Sequence, residues 1–330
     1  MLLSRRFRPA LSFAALTVTL GLAVVLGGCG GTAPLAPKAI ELNRLGVEAL
    51  STGDLATAEA RFAVALEYHP RFVEALVNLG LTELSRGNHG RARQLFDRAA
   101  RINEHLPHPH HGKGALADKE GRGKVAAEHY REALRVDPGF VPARANLGRL
   151  YFDAAMYEDA REQFARLSQV APESDLGPAG LAETLLALGR GPEAEEVLRA
   201  AEKRTPGSPR FGLLRGRLLL LRGEAHAARA TLARVAQNPG DGKLAVLSWW
   251  ALAELATGDD AAAELRVSAA LREDPHDPLA ARVLAMVLEQ RGDKAAAAWK
   301  ERATMLTSRS PGARVRPPGP PTTGSPPAGP

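Results

Sequence analysis

Residues 73–106 read VEALVNLGLTELSRGNHGRARQLFDRAARINEHL, and the next 34, residues 107–140, read PHPHHGKGALADKEGRGKVAAEHYREALRVDPGF. Laid one over the other, Gly80 falls on Gly114, Ala92 on Ala126 and Phe96 on Tyr130. The step continues in both directions. Gly46, Gly80, Gly114 and Gly148 lead to Ala182 and Gly216, and Ala58, Ala92, Ala126, Ala160, Ala194 and Ala228 keep the same spacing. So do Phe62, Phe96, Tyr130, Phe164, Leu198 and Leu232, and so do Pro70, Pro138, Pro172 and Pro206, with Glu104 in place of one proline. An extra residue near Gly240 shifts the phase; the pattern resumes at Ala251, Gly258, Ala263, Val267, Ala270 and Pro275 and fades through Ala285, Gly292 and Ala297. A fixed step of this length marks a small unit that cannot bury its apolar face alone and must stack on its neighbours.

The columns describe two antiparallel helices joined by a turn such as Ser51-Thr52-Gly53-Asp54 or Arg86-Gly87-Asn88. Glycine in the turn supplies the positive φ that ends the first helix. Asp54, Asn88 and Asp259 are expected to cap the second. Small residues in the Gly and Ala columns let the helix backbones approach, the aromatic column fills the gap towards the next unit, and proline closes the second helix because it cannot continue one. Repeat three, rich in Gly112, Gly114, Gly121 and Gly123, is expected to be the weakest.

Leu45-Gly46, Ala58, Phe62, Ala65 and Pro70 fall at the offsets of the tetratricopeptide repeat, which this chain resembles over residues 39–309. The resemblance implies an all-α fold, a right-handed superhelical solenoid of about eight helix-turn-helix repeats. In this register the repeats run near 39–72, 73–106, 107–140, 141–174, 175–208, 209–243, 244–277 and 278–309. Residues 310–330 hold eight prolines, cannot build a core, and are expected to form a disordered or polyproline-like tail.

Ahead of the repeats, three arginines (Arg5, Arg6, Arg8) precede an apolar run from Ala10 to Leu26, the pattern of an export signal. The run ends in Leu26-Gly27-Gly28-Cys29, and Cys29 is the sole cysteine of the 330 residues. That stretch resembles the lipobox of bacterial lipoproteins, which implies a signal peptide over 1–28, lipidation of Cys29 and a short linker over 29–38. Gly30 stands where an inner-membrane retention signal would have Asp, so the resemblance implies the periplasmic face of the outer membrane in a Gram-negative source. The formal charge of +6 falls with the leader to 40 basic against 37 acidic residues, which gives no electrostatic case for nucleic acid.

No nucleophile elbow, phosphate loop or zinc-protease motif is present, and the repeats leave no room for a separate catalytic domain. The chain therefore reads as a binding scaffold and not an enzyme, without cofactor, metal or small-molecule substrate. His105, His108, His110 and His111 are the one dense cluster of potential ligands, but they straddle Pro107 and Pro109 at a repeat junction and read as solvated or helix-start histidines. The spacing from Pro317 to Pro320 fits a groove for proline-rich ligands, as any proline run does.

In the family that this chain resembles, the first helix of each repeat lines a concave groove, at about its second, fifth, sixth, ninth and twelfth positions. Early repeats place Asn43, Arg44, Glu74, Asn78, His108, His111, Asn146, Arg149 and Asp153 there; later ones place Arg210, Leu213, Leu214, Arg217, Leu220, Trp249 and Leu252. The resemblance implies that Asn78 and Asn146, at the sixth position, hold the backbone of an extended ligand. The candidate partner groove is Asn43, Asn78, Asn146, Arg149, Leu213, Arg217, Leu220, Trp249 and Leu252. The later, apolar set reads either as an exposed partner site or, with a slipped register, as core. In the unslipped register Trp250 packs inside and Trp249 faces the groove without an interior partner. The expected partners are envelope proteins or peptides, with the membrane reached through the lipid anchor. The role is assembly or localisation of an envelope complex. A pilotin-like lipoprotein for secretin and type IV pilus assembly, or a recruiter or regulator of peptidoglycan enzymes, stays open beside it.

Overall fold

The computed structural model describes residues 34–240 and 243–309. Its helices follow one another in pairs: α1 (Pro37–Ser51) and α2 (Leu55–Tyr68), α3 (Val73–Ser85) and α4 (His89–Ile102), α5 (Pro107–Lys119) and α6 (Gly123–Val136), α7 (Val141–Asp153) and α8 (Tyr157–Val170). The series continues with α9 (Leu176–Ala187) and α10 (Gly191–Arg204), α11 (Pro209–Leu221) and α12 (Ala225–Val235), α13 (Lys243–Ala256) and α14 (Asp260–Glu273), α15 (Pro278–Gln290) and α16 (Ala296–Arg309). No strand occurs among the described residues, and none of their helices is long and apolar enough to cross a membrane. The expected leader, Cys29, Gly30 and the proline-rich tail lie outside the described residues.

The chain forms two compact blocks, one ending at Asn146 and the other beginning at Leu147. In the first, α1 packs on α2, α3 on α4 and α5 on α6, and the first helix α3 lies beside both α1 and α5. In the second, α9 with α10, α11 with α12, α13 with α14 and α15 with α16 repeat that arrangement, and α9, α11, α13 and α15 adjoin in turn.

One ring shows why the columns are needed. Phe96 is fully buried between two glycines. A Cβ on Gly80 of its own repeat would come within 2.4 Å of the ring, and one on Gly112 of the next repeat within 2.5 Å. Phe164 is held likewise by Gly148 and Gly180. Gly114 makes room for Tyr130 in the same way. Of the glycines that lower the helix propensity of repeat three, Gly112 admits the ring of the preceding repeat, Gly114 admits the repeat's own Tyr130 and Gly121 takes the positive φ of the turn, and α5 forms over its full 13 residues.

Seven of the eight turns have glycine at positive φ, for example Gly87 at +86°. Repeat four has Ala155 there at +59°, the one non-glycine residue of the described chain in that region. Asp54 caps α2 by accepting from the Thr57 N–H at 3.0 Å, and Asp259 caps α14 by accepting from Ala262 at 3.2 Å. Asn88 does not cap α4 as expected; its amide donates instead to the buried Glu83 carboxylate at 2.8 Å, which also faces the Arg91 guanidinium at 2.9 Å.

The last helix departs from the column. Its turn takes in Lys294 and Ala295, with Asp293 accepting from the Ala295 N–H at 2.8 Å, so α16 begins only at Ala296. The delay rotates the helix: Ala296 and Ala303 are buried, whereas Ala297 and Glu301, the residues in the Ala and aromatic columns, are exposed.

Candidate partner-binding groove

Two joints between first helices carry a polar contact from the fifth position of one repeat to the sixth of the next. Asn78 donates its amide to the Asn43 Oδ1 at 3.0 Å. Two repeats on, the same positions carry His111 and Asn146, whose amide lies 3.0 Å from His111 Nε2. Both pairs are separated by 35 residues, one repeat plus one position. That spacing was legible in the sequence as a recurrence of polar residues, though not as a bond.

The environment of His111 is apolar. Its ring lies 5.7 Å from Phe140 and 6.0 Å from Tyr130, and 3% of the residue is exposed. Burial, with a smaller contribution from His108, pushes its pKa down to about 3, so it is neutral and can accept the Asn146 amide. Burial also lowers the pKa of His108, which sits edge-on to Phe140 at 4.9 Å. The four histidines thus separate: His105 is exposed, the ring of His110 bonds the Glu104 carbonyl at 2.9 Å, and His108 and His111 pack inwards. Of the expected solvated or helix-start histidines, His108 and His111 do stand at the start of α5, but they are not solvated: the helix start at Pro107 turns them towards α6 and the segment before α7. No group of three or more metal-ligating side chains is assembled among the described residues.

These contacts change the reading of the two asparagines. Asn146 is buried and commits its amide to His111, so it does not project freely for a ligand. Asn78 and Asn43 are partly exposed, and their pair is the accessible one.

In the second block, Arg149 bonds Asp153 at 2.7 Å within α7. Arg217 is 6% exposed, donates to Glu183 of the preceding first helix at 2.6 Å and stands 4.9 Å from the Trp249 ring. Leu213 is partly exposed, while Leu214, Leu220, Trp249 and Leu252 are buried. Leu220, Trp249 and Leu252 share one core cluster with Val283, Leu284 and Val287 of the last repeat. The expectation that Trp249 lacks an interior partner is therefore corrected: α13 is closely flanked by α11 and α15, and the sixth position fills the space between them. Trp250 is the less buried of the two, with the Arg266 guanidinium against its face; Arg266 in turn bonds the buried Glu254 at 2.7 Å. Burial raises the pKa of Glu254 against the opposing pull of Arg266. Further side-to-side bonds were not foreseen: Ser208 donates to Asp175 at 2.7 Å, and Ser248 donates to Asp277, the cap of α15.

Paired helices on a 34-residue step, small-residue contacts within each pair and polar contacts between first helices define an all-α helical-repeat protein of the solenoid class. Two family models, both described as tetratricopeptide repeat, match it: one at residues 43–107, 180–242 and 250–312, the other at 119–177. The chain belongs to the tetratricopeptide repeat family, whose fold is a protein-interaction scaffold, and neither model describes a catalytic family.

Among curated proteins, the chain is 26% identical over 192 residues to the type IV pilus assembly protein PilF of Pseudomonas aeruginosa, covering 58% of this chain and 76% of that protein. It is 25% identical over 232 residues to cellulose synthase 1 operon protein C of Komagataeibacter xylinus, covering 66% of this chain but 17% of that protein. The chain thus spans only a small part of the length of the cellulose synthase operon relatives. Among solved structures, a tetratricopeptide repeat protein from Parabacteroides merdae superposes with a TM-score of 0.55 at 19% identity, over 77% of this chain and all of that one. The structure of Pseudomonas aeruginosa pilF gives 0.53 at 23% identity, over 63% and 94%.

Proposed function

We propose that this chain is a lipid-anchored repeat scaffold that binds protein partners in the bacterial envelope and supports assembly or localisation of an envelope complex. The observation that carries the reading is the joining of the Leu26-Gly27-Gly28-Cys29 sequence to a repeat array. The array supplies a surface for a protein or peptide. The likeness to PilF over three quarters of that protein favours the pilotin-like form, in which the partner is an assembling envelope machine. The partial exposure of the Asn43–Asn78 pair in the first block, and of Leu213 in the second, supports each as a separate candidate contact for a partner.

The test is Cys29→Ser in cells fed labelled palmitate, followed by crosslinking from position 78 or 213 and mass spectrometry. The parent is expected to take up label and to crosslink to envelope proteins; Cys29→Ser is expected to lose the label. Persistent labelling of Cys29→Ser removes the anchor. A crosslinked set without envelope proteins removes the scaffold role there.

A further inference from the structure

Stacking brings certain positions of each first helix against the repeat before it. The third and sixth are such positions: a Cβ on Gly177 would meet Ser168 of the preceding second helix, and one on Gly112 or Gly180 would meet the ring of Phe96 or Phe164. The tenth lies one turn further along the same face. In repeats two to eight none of these positions holds a charged residue. The third is buried throughout, from Ala75 to Ala280, and the tenth is buried from Thr82 to Val287 except for the half-buried Leu150. Repeat one differs at all three. Glu41, Arg44 and Glu48 stand there, exposed, and Arg44 pairs with Glu41 at 2.9 Å and with Glu48 at 3.4 Å.

The last repeat shows the same exchange on its opposite side. The fifth position bonds the following repeat in the Asn43–Asn78 and His111–Asn146 pairs, the aromatic position reaches it through Phe96, and the twelfth packs on it, as Leu50 does with Leu79. In repeats one to seven the fifth and aromatic positions hold no charged group, and the twelfth is buried throughout, with Asp118 its one acid. In repeat eight the three are Arg282, Glu289 and Lys300. Lys300 takes the aromatic place because α16 buries Ala296 and Ala303, seven residues apart like Ala58 and Ala65, and Lys300 follows the first by four as Phe62 follows Ala58. Glu289 and Lys300 pair with each other. Exposure at an end follows from having no neighbour; the change of residue type at six stacking positions does not. Docking of two copies end to end would set repeat eight of one on repeat one of the other. In the register of the interior joints Arg44 would then meet Arg282 and Lys300. The ion pairs of both ends would lose water in a joint built for apolar groups, a cost that their attraction does not reliably offset.

We propose that these charges close both ends of the array against a second copy of this chain, whose end repeat would otherwise continue the stack. A head-to-tail joint of this kind does not close on itself and would run on into filaments, and a polar outer face on the terminal repeats keeps an array soluble. The proposal rests on the fold alone and stands apart from the groove reading.

The test opens one end at a time in the full chain, in density-matched detergent, with the protein mass read by sedimentation equilibrium. Glu41→Ala with Arg44→Gly and Glu48→Leu gives the first end residue types that interior repeats carry there. Arg282→Ala with Glu289→Leu and Lys300→Phe does the same for the other end, in a separate chain. Each opened chain alone is expected to keep the parent's monomeric mass, because its other end is still charged. Their equimolar mixture is expected to reach about twice that mass, since only the mixture offers two open, complementary ends. Circular dichroism checks that each chain is helical; if one is not, Arg44→Gly and Lys300→Phe, in separate chains, replace the two sets with the same expected result. A mixture that stays at the parent mass, an opened chain that pairs with itself as readily as with the other, or a parent that already joins end to end overturns the proposal.

Discussion

His111 gives the array a stability that depends on pH, with a size set by its burial. In the unfolded chain a histidine titrates near 6.5, and in the folded chain His111 is pushed down to about 3. Between those values the unfolded chain binds a proton that the folded chain refuses, so stability rises with pH across the window. The contribution is fully present above pH 6.5, is lost as the pH falls, and stops changing near pH 3. Each pH unit costs about 1.4 kcal/mol, hence about 2 kcal/mol at pH 5 and roughly 5 kcal/mol at the bottom of the window. The groups around the ring are His108 on its own helix, Tyr130 on α6, and Phe140 and Asn146 ahead of and within α7; none offers an anion to hold the charged form. The assay is urea unfolding at pH 7 and pH 5, read by circular dichroism, for the parent and His111→Gln. His108 and His129, also lowered by burial, remain in both chains. The parent is expected to lose about 2 kcal/mol more than His111→Gln between the two pH values. Equal losses in the two chains would refute the argument, and with it the burial of His111 against Phe140 and Tyr130.

Three other substitutions probe the packing. Ala155→Gly relieves the one left-handed alanine and is expected to stabilise the chain by about 0.5–1 kcal/mol; an unchanged or lower melting midpoint would show that the turn is not strained. Gly112→Ala drives a methyl into the Phe96 ring, and a cost of about 1–3 kcal/mol is expected in thermal melts, whereas helix propensity alone would make that change stabilising. Trp249→Ala empties a buried site in the cluster with Leu220 and Val283 and is expected to cost about 3–5 kcal/mol; a melt like the parent's would return Trp249 to the groove surface.

What the sequence determined by itself is the repeat. A 34-residue step in Gly, Ala and aromatic columns fixes the helix pairs, because only small residues admit the ring that each pair closes on. The positions of seven of the eight turns follow from glycine for the same kind of local reason, the left-handed backbone that ends the first helix. Contacts between repeats were decided by the tertiary structure alone. Asn146 is an open ligand holder on the column rule and a buried partner of His111 in the fold, because the neighbouring first helix supplies an acceptor that no local rule contains. Trp249 and Trp250 are adjacent in sequence and nearly alike in character, and their burial depends on how closely α11 and α15 flank α13. The rotation of α16 follows from two added turn residues, whose effect on which face is buried appears only once the helix is docked. Local propensity and spacing act over a few residues along the chain, while these outcomes depend on side chains about 30 residues away that become neighbours only when the repeats stack.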